Sequence, residues 1–171
     1  MRTKAEQISS IRADQRFWRD LAAEVGPDRY AEPGPMGEWN FGDMAGHLVG
    51  WRNHSIARLE AAGRGEPEPA APWPAEIVDD DRFSGPDLDD PVTINAWIHE
   101  QHLGRSPEQL VGDYDASYDR LIAAIEALPD DTIRDPNALP WVGGPVVEAD
   151  FTGHLHEEHL PSVRAWLDGR G

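Results

Sequence analysis

Three histidines fall within six residues, His154, His156 and His159, in the stretch GHLHEEHLPSVRAWL at residues 153–167. Glu157 and Glu158 sit between them. Imidazole and carboxylate are the side chains that hold divalent transition metals. A further donor lies far upstream, His47 in WNFGDMAGHLVGW. The spacing limits which donors can work together. A helix turns about 100° per residue, so His156, three before His159, shares its face. His154, five before His159, points about 140° away and shares a face with Glu158 instead. The stretch therefore offers two donor pairs, His156/His159 and His154/Glu158, which cannot serve one ion together. Adding His47 gives three protein ligands with positions left open, the pattern of catalytic rather than structural zinc. An ion held so polarises a carbonyl, or brings the pKa of water or a thiol near neutrality.

A plainer reading competes. A lone histidine on an apolar stripe is more often a hydrogen-bonded core residue than a ligand, and three histidines beside two glutamates also make a solvated polar segment. His99 and His102 are three apart and read as surface residues at the mouth of a pocket. Trp51, Trp97 and Trp141 belong to the core and are large enough to line a substrate pocket as well. There is no phosphate-binding loop, dinucleotide fingerprint or nucleophile elbow.

The elements that must position these residues are helical. Ile8, Ile11, Phe17 (or Trp18), Leu21 and Val25 recur at helical spacing over residues 3–25, and Gly26-Pro27 stops that helix. A second helix starts at Asn40, with Asp43 three residues on, and ends at Gly63 and Gly65. Its stripe is Met44, His47, Leu48, Trp51, Ser55 or Ile56, and Leu59, so His47 lies on the apolar side and His54 two turns further along nearly the same face. Residues 66–91 are rich in proline and aspartate and read as a long crossover loop anchored by Trp73 and Phe83. Ile94, Trp97 and Ile98 open a third helical region that Gly104 interrupts. Ser106-Pro107, with Gln109 three after the cap, restarts it. Leu110, Tyr114, Ser117 or Tyr118, Leu121, Ile125 and Leu128 then form a stripe that Pro129 ends. Residues 130–145 read as a loop. The last helix is expected over residues 146–167, kinked or restarted at Pro161. The sum is an all-α, four-helix bundle with long crossover loops, one domain over residues 1–171.

Bulk composition narrows the partners. With 15 basic and 32 acidic residues the formal net charge is −17, which repels nucleic acid and anionic membranes. There is no cysteine, so disulfides, thiolate zinc sites and a cysteine nucleophile are excluded. No apolar run is long enough to span a bilayer, and residues 1–18 lack a signal-peptide core, so a soluble cytoplasmic protein is expected. Helical bundles with exposed apolar seams often dimerise, so a homodimer is compatible with the sequence, which does not fix the oligomeric state.

Three motifs carry a resemblance. MGEWNFGDMAGHLVGW (36–51) is similar to the second-helix motif of the DinB/YfiT-like superfamily. The match is closest in the branch that includes the ClbS/DfsB-like and mycothiol-dependent maleylpyruvate isomerase-like proteins. INAWIHEQHLGRSPEQLVGDYDASYDRLIAAIEALP (94–129) resembles the third-helix region of that branch, and FTGHLHEEHLPSVRAWL (151–167) its last helix. The resemblance implies a four-helix bundle holding a divalent ion, zinc or nickel. One ligand comes from a histidine on the second helix and two from donors four residues apart on the last. His47 matches the first position and His159 the last. The position four before His159 is Leu155, which cannot ligate, and His156 is the expected substitute. The expected metal ligands are thus His47, His156 and His159. The resemblance implies a metal-dependent enzyme acting on a small electrophilic molecule with water or a low-molecular-weight thiol, as a hydrolase or a thiol-dependent transferase or isomerase. With no cysteine in the chain, the thiol must come from a cosubstrate. The alternative is a non-catalytic binding or self-resistance protein that sequesters a hydrophobic ligand between the helices.

Overall fold

The computed structural model describes residues 1–77 and 93–169. Phe83, expected to anchor the crossover loop, lies outside the described residues. The architecture is all-α. Four principal helices form the bundle: α1 (Lys4–Val25), α2 (Phe41–Gly63), α4 (Pro107–Ala127) and α6 (Leu160–Gly169). A shorter α3 (Ile94–His102) lies against α2, and a single-turn α5 (Asp130–Arg134) sits in the second loop. A small antiparallel hairpin, β1 (Pro33–Gly34) and β2 (Gly37–Asn40), leads into α2.

The helix starts are local chemistry. Thr3, Asn40 and Ser106 each accept a hydrogen bond from the backbone N–H three residues on, while the side-chain oxygens of Glu6, Asp43 and Gln109 accept one from the backbone N–H of the cap residue. These reciprocal bonds satisfy N–H groups that a helix start leaves unpaired. The expected stripes are buried. Ile11, Trp18, Leu21 and Val25 of α1 meet Met44, Leu48, Ile56 and Leu59 of α2 and Leu110, Tyr114, Tyr118, Leu121 and Ile125 of α4 in one apolar core. Each fully buried leucine or isoleucine contributes roughly 1.5–3 kcal/mol relative to exposure. Trp18 rather than Phe17 is the core residue of α1: its ring stacks on Phe41 and meets Tyr114 edge-on. Gly50 lets α3 approach α2, since a Cβ there would lie 2.4 Å from Ile98 Cγ2.

Three expectations are corrected. The last helix does not begin at Val146. Residues Val146–Glu148 form an isolated 3₁₀ turn, and continuous helical backbone begins only at Gly153. There Asp150 acts as the cap, its Oδ1 accepting from the backbone N–H of Thr152 (3.0 Å) and of Gly153 (2.7 Å). Gly153 is required by that cap, because a Cβ would lie 2.3 Å from the Asp150 carboxylate. The second loop contains the turn α5, which buries Ile133. The last helix is not uniformly α. Residues Leu155–His159 form a π turn, in which the N–H of Leu160 bonds to the carbonyl of Leu155 five residues back. Ordinary α backbone resumes at Leu160. Pro161 sits one residue into it, where its missing N–H removes an α bond to Glu157. The restart expected at Pro161 thus takes the form of a change of helix type. Among the described residues no helix is long and apolar enough to cross a membrane.

Candidate metal centre

His47 comes from the middle of α2 and is fully buried. His159 comes from the last residue of the π turn and is also fully buried. His154 precedes that turn. The three side chains converge, with ligand atoms that all lie within 4.8 Å of one another. Nε2 of His154 is 3.3 Å from Nε2 of His47 and 3.2 Å from Nε2 of His159.

The π turn explains why His154 is present. In an α-helix, residues five apart diverge by about 140°. Bonding from i to i+5 widens the turn by one residue, so residues five apart come to lie over one another. The same widening turns Leu155 into the core, where it is fully buried. It also carries His156 off the site. The His156 ring packs against Phe17 and its Nε2 pairs with the Asp14 carboxylate on α1. The expectation that His156 partners His159 is therefore corrected: His154 takes that place. The structure brings His47 and His159 together in the cluster.

Electrostatics keep the three rings neutral. Burial pushes His47 well below the ordinary histidine value, and prospective charge on His154 and His159 adds to the effect. Burial, with the nearby Arg52 cation, lowers His154 to about 4. Burial, then His154, lowers His159 to about 3. At neutral pH each ring therefore keeps a lone pair.

The donor set fits a cation. A ring nitrogen has a single in-plane direction, filled by a proton or a lone pair. Nε2 of His154 cannot point that direction at both neighbours at once, whereas one ion between the rings can accept all three lone pairs. Tetrahedral zinc, with Zn–N of 2.0–2.1 Å, requires ligand nitrogens about 3.3 Å apart. The two separations at His154 match that value.

A cleft of about 620 Å³ opens beside the cluster. Its wall includes His154, Trp51, Trp141, Phe151, Arg52 and Glu158. Trp51 and Trp141 line this cleft, Trp51 with its Nε1 donating to Asn95 Oδ1 (3.0 Å). Trp97 does not line it. It faces Trp73 of the crossover segment, with ring centroids 6.4 Å apart. His54 lines the cleft, and burial lowers its pKa. His99 and His102 are half-buried, His99 stacked on Trp39 and 3.6 Å from Asp43.

A model of the DinB superfamily matches residues 10–159, most of the chain. The chain belongs to the DinB superfamily. No curated protein and no solved structure gives a match. The matched DinB region runs from α1 to His159 and includes the second-helix and last-helix histidines.

Sequence reasoning missed Arg52, Asp14 and the role of His154. Arg52 had a visible signal. It lies four residues from both Leu48 and Ile56, on the buried face of α2, where an arginine is out of place. His154 had none, because its position depends on a change of helix type.

Proposed function

We propose that this DinB-superfamily chain is a divalent-metal-dependent enzyme. In this reading His47, His154 and His159 hold the ion, and the neighbouring cleft takes a small electrophilic molecule. The observation that carries it is the convergence of three neutral imidazole nitrogens, two on fully buried side chains and the third, His154, half-buried at the edge of an open cleft. A zinc or nickel ion there would supply Lewis acidity toward a carbonyl, or toward water or a thiol. The chain's own residues do the rest. Trp51, Trp141 and Phe151 provide apolar walls that exclude water around the reacting group. The rigid α2 and the π turn fix the three rings from opposite sides. With no cysteine in the chain, a thiol nucleophile would be a cosubstrate. Within the superfamily, the second-helix and last-helix motifs favour the ClbS/DfsB-like or mycothiol-dependent maleylpyruvate isomerase-like branch. The reaction is then hydrolysis or thiol transfer.

The test is metal analysis of protein purified without a nickel column, followed by turnover assays. The assays would use activated esters, and chlorodinitrobenzene with a small thiol. About one ion per chain is expected, with activity lost on chelation and in His47→Ala. A protein that stays metal-free in dilute zinc would overturn the proposal.

The aromatic lining of the cleft favours one second reading, a binder that sequesters a hydrophobic ligand without turnover. In that case His47→Ala would leave ligand affinity nearly intact.

A further inference from the structure

Arg52 is a buried cation on the wall of the cleft. It is only 6% exposed. Its Nη1 donates to Ser117 Oγ at 3.1 Å and its Nη2 to Tyr114 Oη at 2.6 Å. The guanidinium carbon lies 4.1 Å from the Tyr114 ring centroid and 3.9 Å from that of Tyr118. All of these partners are uncharged. Among the described residues no carboxylate lies within ion-pair distance of Arg52. Its neighbour in the cleft wall, Arg58, differs: it pairs with Glu68 and lies over Trp141. The nearest link from Arg52 to an acid is indirect, through the phenol of Tyr118, which donates to Asp14 Oδ2 at 2.8 Å, and that acid is already shared with His156.

A buried charge is normally paired, because its desolvation is costly. A guanidinium carries five N–H donors in a planar fork, and two protein acceptors do not use them all. The fork is also held by two neighbouring tyrosine rings, by the Tyr114 hydroxyl and by the Ser117 hydroxyl, so little side-chain freedom remains to be lost on binding. The chain as a whole is strongly acidic, at −17. Among the described residues this fixed cation in the cleft has no carboxylate partner; it stands against the general field of the molecule, and the ligand that would complement it is an anion.

We infer that Arg52 is the anion-recognition residue of the cleft, and that the small molecule bound there carries a carboxylate set beside the group that meets the three histidines. This deepens the proposed function by naming a substrate class. It rests on that reading only in taking the cleft as the substrate site.

The test uses metal-free protein, so that no ion competes for the carboxylate. Benzoate and benzamide, equal in shape and different in charge, are titrated while the fluorescence of the cleft tryptophans is read. Benzoate is expected to bind at least roughly tenfold more tightly than benzamide, as a charge-assisted bond to a preorganised guanidinium requires. In Arg52→Gln that ratio falls to about one. Arg52→Lys keeps a cation for Tyr114 and Ser117 and serves where the glutamine variant fails to fold. Its ratio drops at least roughly threefold because the planar fork is gone. Equal affinities in the wild-type protein, no saturable benzoate binding, or a ratio unchanged in the folded variant would each overturn the inference. Zinc titration of the same wild-type preparation reports separately on the three-histidine reading. A carboxylate preference without zinc binding would keep Arg52 in its role and remove the metal.

Discussion

The Nε2 atoms of His154 and His159 lie 3.2 Å apart although five residues separate them. An α-helix would splay the two side chains by about 140°. The π turn over Leu155–His159 brings them together, and with them His47 from α2.

The ligand sets proposed from helical spacing and from this geometry make opposite forecasts. His154→Ala should weaken zinc binding by at least about 10²-fold, the cost of one of three ligands. His156→Ala should leave it within about threefold, since that ring faces Asp14. Calorimetric titration of the metal-free variants compares them directly. The reverse order would restore His156 as the ligand.

Pro161 lacks the N–H that an α bond to the Glu157 carbonyl would need. Replacing it with alanine supplies an N–H for the Glu157 carbonyl and favours ordinary α backbone through the histidines. His154 would then rotate away from His159. Pro161→Ala should reduce zinc affinity at least roughly tenfold while raising thermal stability of the metal-free protein. Unchanged affinity would show that packing of Leu155 and His159 holds the π turn without the proline.

Acid should destabilise the metal-free protein by a predictable path. In the unfolded chain, histidines take up protons near 6.5, whereas folded His154 and His159 resist until about 4 and about 3. Between those values the unfolded state binds more protons, so stability is full above about 6.5 and falls as pH drops toward the folded values. Each of the two contributes ~1.4 kcal/mol per pH unit in that window. Urea denaturation at a series of pH values reads the slope. A flat profile between about pH 7 and about pH 5 would contradict the burial of these rings.

Asp14 joins two elements outside the site. Its carboxylate accepts from the Tyr118 phenol at 2.8 Å and pairs with His156. Asp14→Ala leaves the fully buried Tyr118 hydroxyl without that acceptor and should cost about 1–3 kcal/mol in chemical denaturation. Zinc affinity should be preserved, because Asp14 does not touch the three histidines. A parallel loss of metal binding would mean that the His156–Asp14 pair anchors the π turn.

The sequence by itself determined the helical class, the capped starts at Asn40 and Ser106, the buried stripes of α1, α2 and α4, and two members of the histidine cluster, His47 and His159. These features are local, or repeat at the helical period, so residue types at fixed spacings carry them. The motifs at residues 36–51 and 151–167 also pointed to the DinB superfamily. Tertiary structure decided the third histidine of the cluster and the wall of the cleft. His154 replaced His156 because one turn of the last helix adopts i to i+5 bonding, which no side-chain spacing encodes when an α-helix is assumed. Trp97 turned toward Trp73 instead of the cleft, a matter of how α3 lies on α2 at Gly50. Arg52 acquired its place only when α4 set Tyr114, Ser117 and Tyr118 around it. Its charge is legible in the sequence, but that no carboxylate among the described residues pairs with it belongs to the folded packing.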